Sequence, residues 1–290
     1  MTHFFTVKIF KDLLFNELKH IYSKDEIIAI FNILILNRCN ISKIDTILNP
    51  DTPINSDILI SDLERLKRSE PLQYILQVTP FFDLNFKVTP AVLIPRQETE
   101  ELVDLIIKEF YSNTNRIKIL DVGTGSGAIA ICLAKNLPNS QVFASDFSQN
   151  AIHIATENAL NNEVKVNFIN HDIFHDLIKL LPYELDVVVS NPPYIPISMS
   201  DKLHDNVIKY EPHSALFVPD DDPLLFYRKI SEVAFELLKP KGKLYFETYE
   251  DFHFELIQIL KNMGYEKISS ILDLQQKPRF IIAEKNVSLP

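Results

Sequence analysis

Glycine is scarce in this sequence: 290 residues hold five, and three of them fall at positions 123, 125 and 127. A chain so sparing of glycine places it where backbone geometry demands it. Cysteine is rarer still. Cys39 and Cys132 stand far apart with no Cys-x-x-Cys pair, which argues against a disulfide framework or a zinc knuckle and fits a reducing compartment. Long apolar runs are missing too: Ile27 to Leu36 is interrupted by Asn32 and falls far short of the ~20 residues that span a bilayer. The start, Met1-Thr2-His3-Phe4-Phe5, has no basic opening, sustained apolar core or small-residue cleavage site, as a secretory signal would. The expectation is a soluble cytoplasmic protein with no membrane partner. Positive charge is in deficit: 29 Lys and Arg face 39 Asp and Glu, a formal net charge of −10, and most of that excess lies after residue 90. Such a surface repels phosphate backbones, so stable binding of nucleic acid is not expected. Internal repeats and low-complexity segments are absent.

What is present is enough apolar side chain, 46% of the residues, for one large domain or two ordinary ones. Residues 5 to 70 show helical periodicity with no strand-like alternation. Phe10, Leu13, Leu14, Leu18 and Ile21 share one face, and Ile27, Ile28, Ile30, Phe31, Leu34 and Ile35 share another. Shorter helices are expected from Ser42 to Leu48 and, capped by Ser56 or Asp57, on to Arg68. From Tyr74 to Val88 the pattern alternates and predicts a β-hairpin. Leu93 to Glu100 then leads into a helix ending near Tyr111. From Arg116 onward strands and helices alternate as in a parallel sheet. Strands are predicted at Lys118 to Asp121, Gln141 to Ser145, Lys165 to Asn170, Leu185 to Ser190, Lys243 to Glu247, Lys267 to Asp273 and Arg279 to Lys285. Helices are predicted at about Ala128 to Leu137, Gln149 to Asn161, Leu224 to Leu238 and Phe252 to Met263. Ile195 to Pro223 reads as a long irregular loop, the usual sign of a lid or substrate loop. The expected fold is α/β, a Rossmann-like, mostly parallel seven-stranded sheet behind a small helical bundle. The domain limits follow: 1–72 helical, 73–97 hairpin and linker, 98–290 catalytic.

The stretch Ser190-Asn191-Pro192-Pro193-Tyr194 follows the apolar strand Leu185 to Val189, and ligands in open α/β sheets bind outside the carboxyl ends of such strands. Each proline fixes its own φ and pushes its predecessor toward extended backbone, so the Asn191 amide and the Pro192 carbonyl keep a near-constant relation. Neither proline donates a hydrogen bond. Two acceptors remain that suit both hydrogens of a planar –NH2 group, with the Tyr194 ring available to its flat face. A plain strand-ending turn is the competing reading, because Asn-Pro commonly opens turns.

Upstream, the strand Ile119 to Val122 runs into Gly123-Thr124-Gly125-Ser126-Gly127-Ala128, where glycines let backbone pass close to a ligand and offer amides at a helix N-terminus. Gly123, Gly125 and Ala128 also satisfy the dinucleotide pattern G-x-G-x-x-[GA], and Asp146 closes the second strand at the distance of a ribose-binding acid. A nicotinamide cofactor is therefore open as a second reading. It leaves Asp121 unexplained, whereas a carboxylate there can pair with the ammonium group of a methionine moiety. Asp146 would then take ribose hydroxyls and Asp172 an adenine amino group, with Ile173 and Phe174 beside the ring.

In this order, Asp121-x-Gly123-x-Gly125-x-Gly127, Asp146, Asp172 and Asn191-Pro192-Pro193-Tyr194 resemble the class I S-adenosylmethionine-dependent amino-methyltransferases. Three further segments sharpen the likeness: Glu70-Pro71-Leu72-Gln73-Tyr74-Ile75-Leu76, Leu93-Ile94-Pro95-Arg96-x-Glu98-Thr99-Glu100, and Tyr210-Glu211-Pro212-His213-x-Ala215-Leu216-Phe217. With them the chain is similar to the HemK-type release-factor glutamine methyltransferases over nearly its whole length. One departure is Gln97, where that family usually has proline. The resemblance implies S-adenosylmethionine as cofactor, held by Asp121, Gly123, Thr124, Gly125, Ser126, Gly127, Asp146, Asp172, Ile173 and Asn191. It implies Asn191, Pro192, Pro193 and Tyr194 as the substrate grip, with Asn191, Pro192 and Tyr194 catalytic and no metal. The implied substrate is the Gly-Gly-Gln glutamine of class 1 peptide-chain release factors, with the helical domain docking on the same partner and the enzyme a monomer. A nucleic-acid amino-methyltransferase and a catalytically silent binding module compete with that reading. The pair His171 and His175 has metal-like spacing without a third ligand and reads as surface or cap chemistry. Asp220-Asp221-Asp222 reads as a solvated turn before a helix; Leu93 either lines the substrate pocket or packs the linker, with packing slightly favoured, and Arg96 and Glu98 either orient the linker or contact substrate.

Overall fold

The computed structural model describes residues 4–175 and 183–286. Met1 to His3 and the outer limits of the expected domains, 1 and 290, lie outside them. Contacts divide the chain into one unit of Met1–Gln77 with His204–Tyr210 and another of Val78–Leu203 with Glu211–Pro290.

The first unit contains β1 (Phe4–Thr6), α1 (Val7–Leu18), α2 (Lys24–Cys39), α3 (Lys43–Leu48), β2 (Pro53–Asn55), α4 (Asp57–Leu66) and α5 (Leu72–Leu76). Ser23 and Glu26 cap α2 reciprocally, and Ser42 and Asp45 do the same for α3, each pair satisfying amides that a helix start leaves open. The apolar stripes meet, with Phe10, Leu14, Leu18, Ile27, Phe31, Leu34 and Leu63 in one buried cluster, but Ile21, expected on the first of those faces, lies past the end of α1 and is exposed. Two further expectations need correction. Residues 5–70 are not wholly helical, because β1 and β2 pair antiparallel with Phe5 opposite Ile54. Tyr74 and Leu76, expected at alternating strand positions, lie in α5. That short helix persists because its end carbonyls find donors: Arg38 and Arg65 both donate to the Ile75 carbonyl, at 3.1 and 3.3 Å. Arg38 is held in turn by the buried Asp62 at 2.8 Å, and Arg65 by Glu70. The late segment of this unit carries the helix Asp205–Tyr210, and the Tyr210 hydroxyl donates to the Arg68 carbonyl at 2.9 Å.

The second unit opens with the hairpin β3 (Val78–Phe81) and β4 (Leu84–Lys87). Phe82 and Asp83 form its two-residue turn with φ of 48° and 61°, the primed geometry that matches strand twist. Phe82 therefore ends the alternation rather than continuing it. Next come α6 (Gln97–Phe110), β5 (Ile117–Val122), α7 (Ala128–Asn136), β6 (Ser140–Asp146), α8 (Gln149–Asn161), β7 (Asn167–Asn170) and β8 (Leu185–Ser190). After these lie β9 (Ile195–Pro196), β10 (Phe217–Val218), β11 (Leu238–Glu247), β12 (Tyr265–Leu272) and β13 (Pro278–Lys285). The sheet order is β12-β13-β11-β8-β5-β6-β7. Strands β5, β6, β7, β8 and β11 run parallel, and β13 is antiparallel to β11 and β12. Seven mostly parallel strands flanked by helices form the expected Rossmann-like class I methyltransferase architecture.

Successive residues of the central strands feed opposite faces. Leu120, Val188 and Phe246 join the core under the helices Leu225–Leu237 and His253–Asn262, while Ile119, Val187 and Tyr245 join the core under α6 and α7. The segment 195–223 is more ordered than its sequence suggests: β9 and β10 pair in parallel, and 3-10 turns occupy Ile197–Lys202 and His213–Ala215. Strand β11 begins at Leu238, five residues before the predicted Lys243, through a register break that Lys239-Pro240-Lys241-Gly242 disguises as a turn. Among the described residues no helix is long and apolar enough to cross a membrane.

Candidate functional site

The parallel strands all point their carboxyl ends to one edge, and β5 and β8 are neighbours although two strands separate them in sequence. The order of strands reverses there, which is where open α/β sheets form a ligand crevice. At the end of β5 the chain turns through Gly123 to Gly127 into α7. The amides of Gly123 and Thr124 both donate to the Ser145 carbonyl at 2.9 Å, tying the turn to β6. Gly127 has φ 84°, and a Cβ there would lie 2.9 Å from Ile131 Cδ1 and 3.1 Å from Ala155 Cβ. By contrast, space above Gly123 and Gly125 is open. A ligand can approach the backbone at those two positions.

Asp121 is fully buried. Its Oδ2 accepts from the Thr124 hydroxyl at 2.6 Å, and its Oδ1 is buried with no partner among the described residues. Loss of water pushes this carboxyl up to about 7, opposed chiefly by the Thr124 hydroxyl. An orphaned buried oxygen of this kind costs about 1–3 kcal/mol, and a cationic group is the natural partner for it. Asp146, at the end of β6, accepts from the Gly125 amide through Oδ2 and from the Ser148 amide through Oδ1, both at 2.9 Å. Burial raises it, and those two amides pull it back.

A cavity of about 320 Å³ brings Gly123, Gly125, Asp146, Asp172, Ile173, Asn191, Pro192 and Pro193 to one wall or another. That is the lower end of the range for small-molecule sites. Asp121, Thr124, Ser126, Gly127 and Tyr194 are not among its lining residues. Asp172 accepts from the Phe174 amide at 3.0 Å and lies 3.4 Å from His175. Phe226 also lines the cavity and meets the Phe174 ring edge-on at 5.3 Å. His171 lines it as well, with a buried Nδ1 that has no partner among the described residues, and of the two histidines only His175 is well exposed. No local signal marks Phe226 in sequence, where it looks like any core position of a helix.

Asn191 follows β8, whose Ser190 hydroxyl donates to the Val122 carbonyl at 2.7 Å. Its Nδ2 donates to Thr99 Oγ1 at 3.2 Å, and Thr99 in turn donates to Glu247 Oε2 at 2.6 Å. The engaged NH2 leaves the Asn191 carbonyl oxygen as the acceptor for a ligand. Glu247 is buried, and loss of water pushes it up to about 7 against the pull of Thr99, Arg279 and Asn191. Neither Thr99 nor Glu247 stands out in sequence as a site residue. Strand register explains the meeting: Phe246 lies opposite Ser190, so the next residue on each strand, Glu247 and Asn191, reaches the same edge. Tyr194 turns elsewhere. Its ring stacks on Tyr249 at 6.0 Å and 18°.

Two of the sequence motifs meet through one carboxylate. Buried Glu211 accepts from the Ile94 amide at 3.3 Å and from Arg96 Nη2 at 2.6 Å. That clamp sets Leu93 and Ala215 along the cavity, so Leu93 is not confined to linker packing, while Arg96 orders the linker. Asn158, fully buried in α8, donates to the Ser126 carbonyl at 2.9 Å and exchanges two hydrogen bonds with the Lys87 backbone. It ties the glycine turn to the hairpin.

A family model described as methyltransferase small domain matches residues 92–211. Among similar proteins, a release factor glutamine methyltransferase from Flavobacterium psychrophilum is 42% identical over 280 residues, 95% of this chain and 98% of its own. Another of the same name, from Bacteroides thetaiotaomicron, is 41% identical over 273 residues, 92% of this chain and 96% of its own. Among solved structures, a methyltransferase from Pyrococcus furiosus is 21% identical with a TM-score of 0.52, covering 71% of this chain and 91% of that one. That last likeness speaks for the fold.

Proposed function

The chain belongs to the release factor glutamine methyltransferase family, and from that premise we propose how its residues carry out transfer of a methyl group from S-adenosylmethionine to the side-chain amide nitrogen, N5, of the glutamine in the Gly-Gly-Gln loop of class 1 release factors. The observation that carries the reading is one cavity lined both by Gly123 and Gly125 of the open glycine turn and by Asn191 and Pro192.

S-adenosylmethionine supplies, when bound, an electrophilic methyl on a positively charged sulfur. The chain's contribution divides in two. Asp121, with its orphaned oxygen, is a fit partner for the ammonium of the methionine portion. Gly123 and Gly125 leave room for close approach, while Thr124, Ser126 and Gly127 shape the turn rather than line it. Asp146 takes ribose hydroxyls, and Asp172 and Ile173 flank the base. Asn191 and Pro192 act on the acceptor. An amide nitrogen is a weak nucleophile because its lone pair is delocalised. Acceptance of its two N–H bonds by the Asn191 side chain and the Pro192 carbonyl orients it and stabilises the positive charge that develops before its proton leaves. The remainder of the effect is proximity. Pro193 stiffens that grip and Tyr194 supports it from behind through its stack on Tyr249. The N-terminal helical unit docks a second surface of the release factor, and the enzyme acts as a monomer in the cytoplasm.

The direct test is transfer of labelled methyl from S-adenosylmethionine with three acceptors side by side: a release factor, the same factor with its loop glutamine replaced by alanine, and duplex DNA. Label on the unmutated factor alone is the expected outcome. Label on DNA would instead favour a nucleic-acid acceptor.

A further inference from the structure

We propose that Thr99 and Glu247 form a polarity relay that decides which end of the Asn191 amide faces the acceptor, which makes them positioning residues for methyl transfer. The inference rests on the reading of Asn191 as an acceptor of substrate N–H bonds. An asparagine side chain presents either its carbonyl or its NH2 by a half-turn of the amide, and only the carbonyl grips an incoming –NH2. Something outside the cavity has to make that choice.

The chain of partners makes it by counting hydrogens. An ionised Glu247 has acceptors only, so it takes the single hydroxyl hydrogen of Thr99, at 2.6 Å. The Thr99 oxygen then has lone pairs alone to offer the next group. Asn191 Nδ2 donates to it at 3.2 Å, and the amide oxygen is the end left over. The three groups come from three elements, the first turn of α6, the end of β11 and the segment after β8, so no local constraint accounts for the alignment. Burial of Thr99 and Glu247 removes water that would otherwise scramble the order.

Glu247 is faced from every side. Arg279 on β13 favours its ionised form, Glu98 on α6 opposes it, Thr99 and Asn191 donate toward it, and the Tyr194 and Tyr227 hydroxyls lie in its field. The balance holds its protonation near neutrality, at about 7. Once protonated, Glu247 becomes a donor to Thr99, the Thr99 hydrogen is freed to point at Asn191, and the amide can turn its NH2 toward the cavity. The relay is complete above that pH and lost below it.

The test uses the full chain with Glu247→Gln, Thr99→Val, Thr99→Ser and Asn191→Ala. It measures turnover and KM with a release factor, binding of S-adenosylmethionine by calorimetry, and thermal melting. Glu247→Gln keeps shape but replaces an acceptor-only carboxylate with an amide that can offer Thr99 either end, and Thr99→Val keeps shape but removes the hydroxyl. Each should lower kcat roughly tenfold to hundredfold, less than the roughly hundredfold to thousandfold that follows loss of a group touching the transition state itself, with cofactor affinity within about twofold of the parent. Thr99→Ser should restore most of the turnover. The parent's kcat should fall on acidification through about pH 7, and Glu247→Gln should lack that limb. If Glu247→Gln fails to fold, the Thr99→Val and Thr99→Ser pair decides alone. Collapse of Asn191→Ala with parental turnover in Glu247→Gln and Thr99→Val would overturn the relay and leave the Asn191 reading standing. Parental turnover in Asn191→Ala would overturn that reading, and the relay with it. Equal losses of kcat and cofactor binding, or a serine variant no better than valine, would reduce both residues to packing.

Discussion

Asp121 concentrates a measurable cost in one side chain. Burial moves its carboxyl from an ordinary 3.8 up to about 7, so between about pH 4 and pH 7 the folded chain holds a proton that the unfolded chain has released. Stability falls with pH wherever the folded state binds more protons. This residue therefore favours the folded state least above pH 7, where a charge sits uncompensated in the core. Asp121→Asn removes that dependence while keeping the shape and the donor-acceptor reach toward Thr124. Melting curves at pH 5 and pH 8 should show a larger loss in the parent than in the variant. Identical losses would mean the carboxyl is not perturbed. S-adenosylmethionine should bind the variant at least roughly tenfold more weakly, since a charge-assisted contact of about 1.5–3 kcal/mol is gone.

At the scale of elements, the glycine turn separates folding from binding. Gly127→Ala places a methyl against Ile131 and Ala155, where α7 and α8 come closest to the turn, and it forces a left-handed backbone. Overpacking costs about 1–3 kcal/mol and the handedness about 1–2 more, so the melting temperature should drop by many degrees. Gly125→Ala meets open space and should cost only the backbone part, about 1–2 kcal/mol, while cofactor affinity falls more steeply than in Gly127→Ala. The reverse ranking in calorimetry would remove the turn from the binding site. The same turn is legible in sequence because strand, glycines and helix follow one another directly. So are the sheet strands, whose apolar runs are bounded by polar residues. What is not legible has non-local causes: α5 depends on arginines at 38 and 65, β1 finds its partner about fifty residues away, and Glu247 reaches the edge beside Asn191 only through the register of β11 on β8. No local pattern at Tyr194 announces that its ring leaves the cavity for Tyr249.

At the scale of the whole molecule, α3 is the feature of the N-terminal unit that most needs a role: none of its residues is buried, and Ile44, Ile47 and Leu48 are all exposed. Clustered exposed apolar side chains mark interaction surfaces. If this unit docks the release factor, Ile47→Glu should raise KM for the intact factor severalfold without changing kcat for a short Gly-Gly-Gln peptide. Unchanged KM for the factor, or equal losses on both substrates, would place docking elsewhere. That unit has a property of another kind. It is closed by His204–Tyr210, a segment that leaves the ribosome about 130 residues after Gln77, many seconds later at ordinary rates of synthesis. Until then the Arg68 carbonyl lacks its tyrosine, and β5 through β8 have already been made. A chain interrupted anywhere in that interval has neither a finished first unit nor a finished cavity. A fragment that ends in that interval therefore lacks part of the first unit and, with Pro212, Ala215 and Phe226 still unmade, part of the cavity wall.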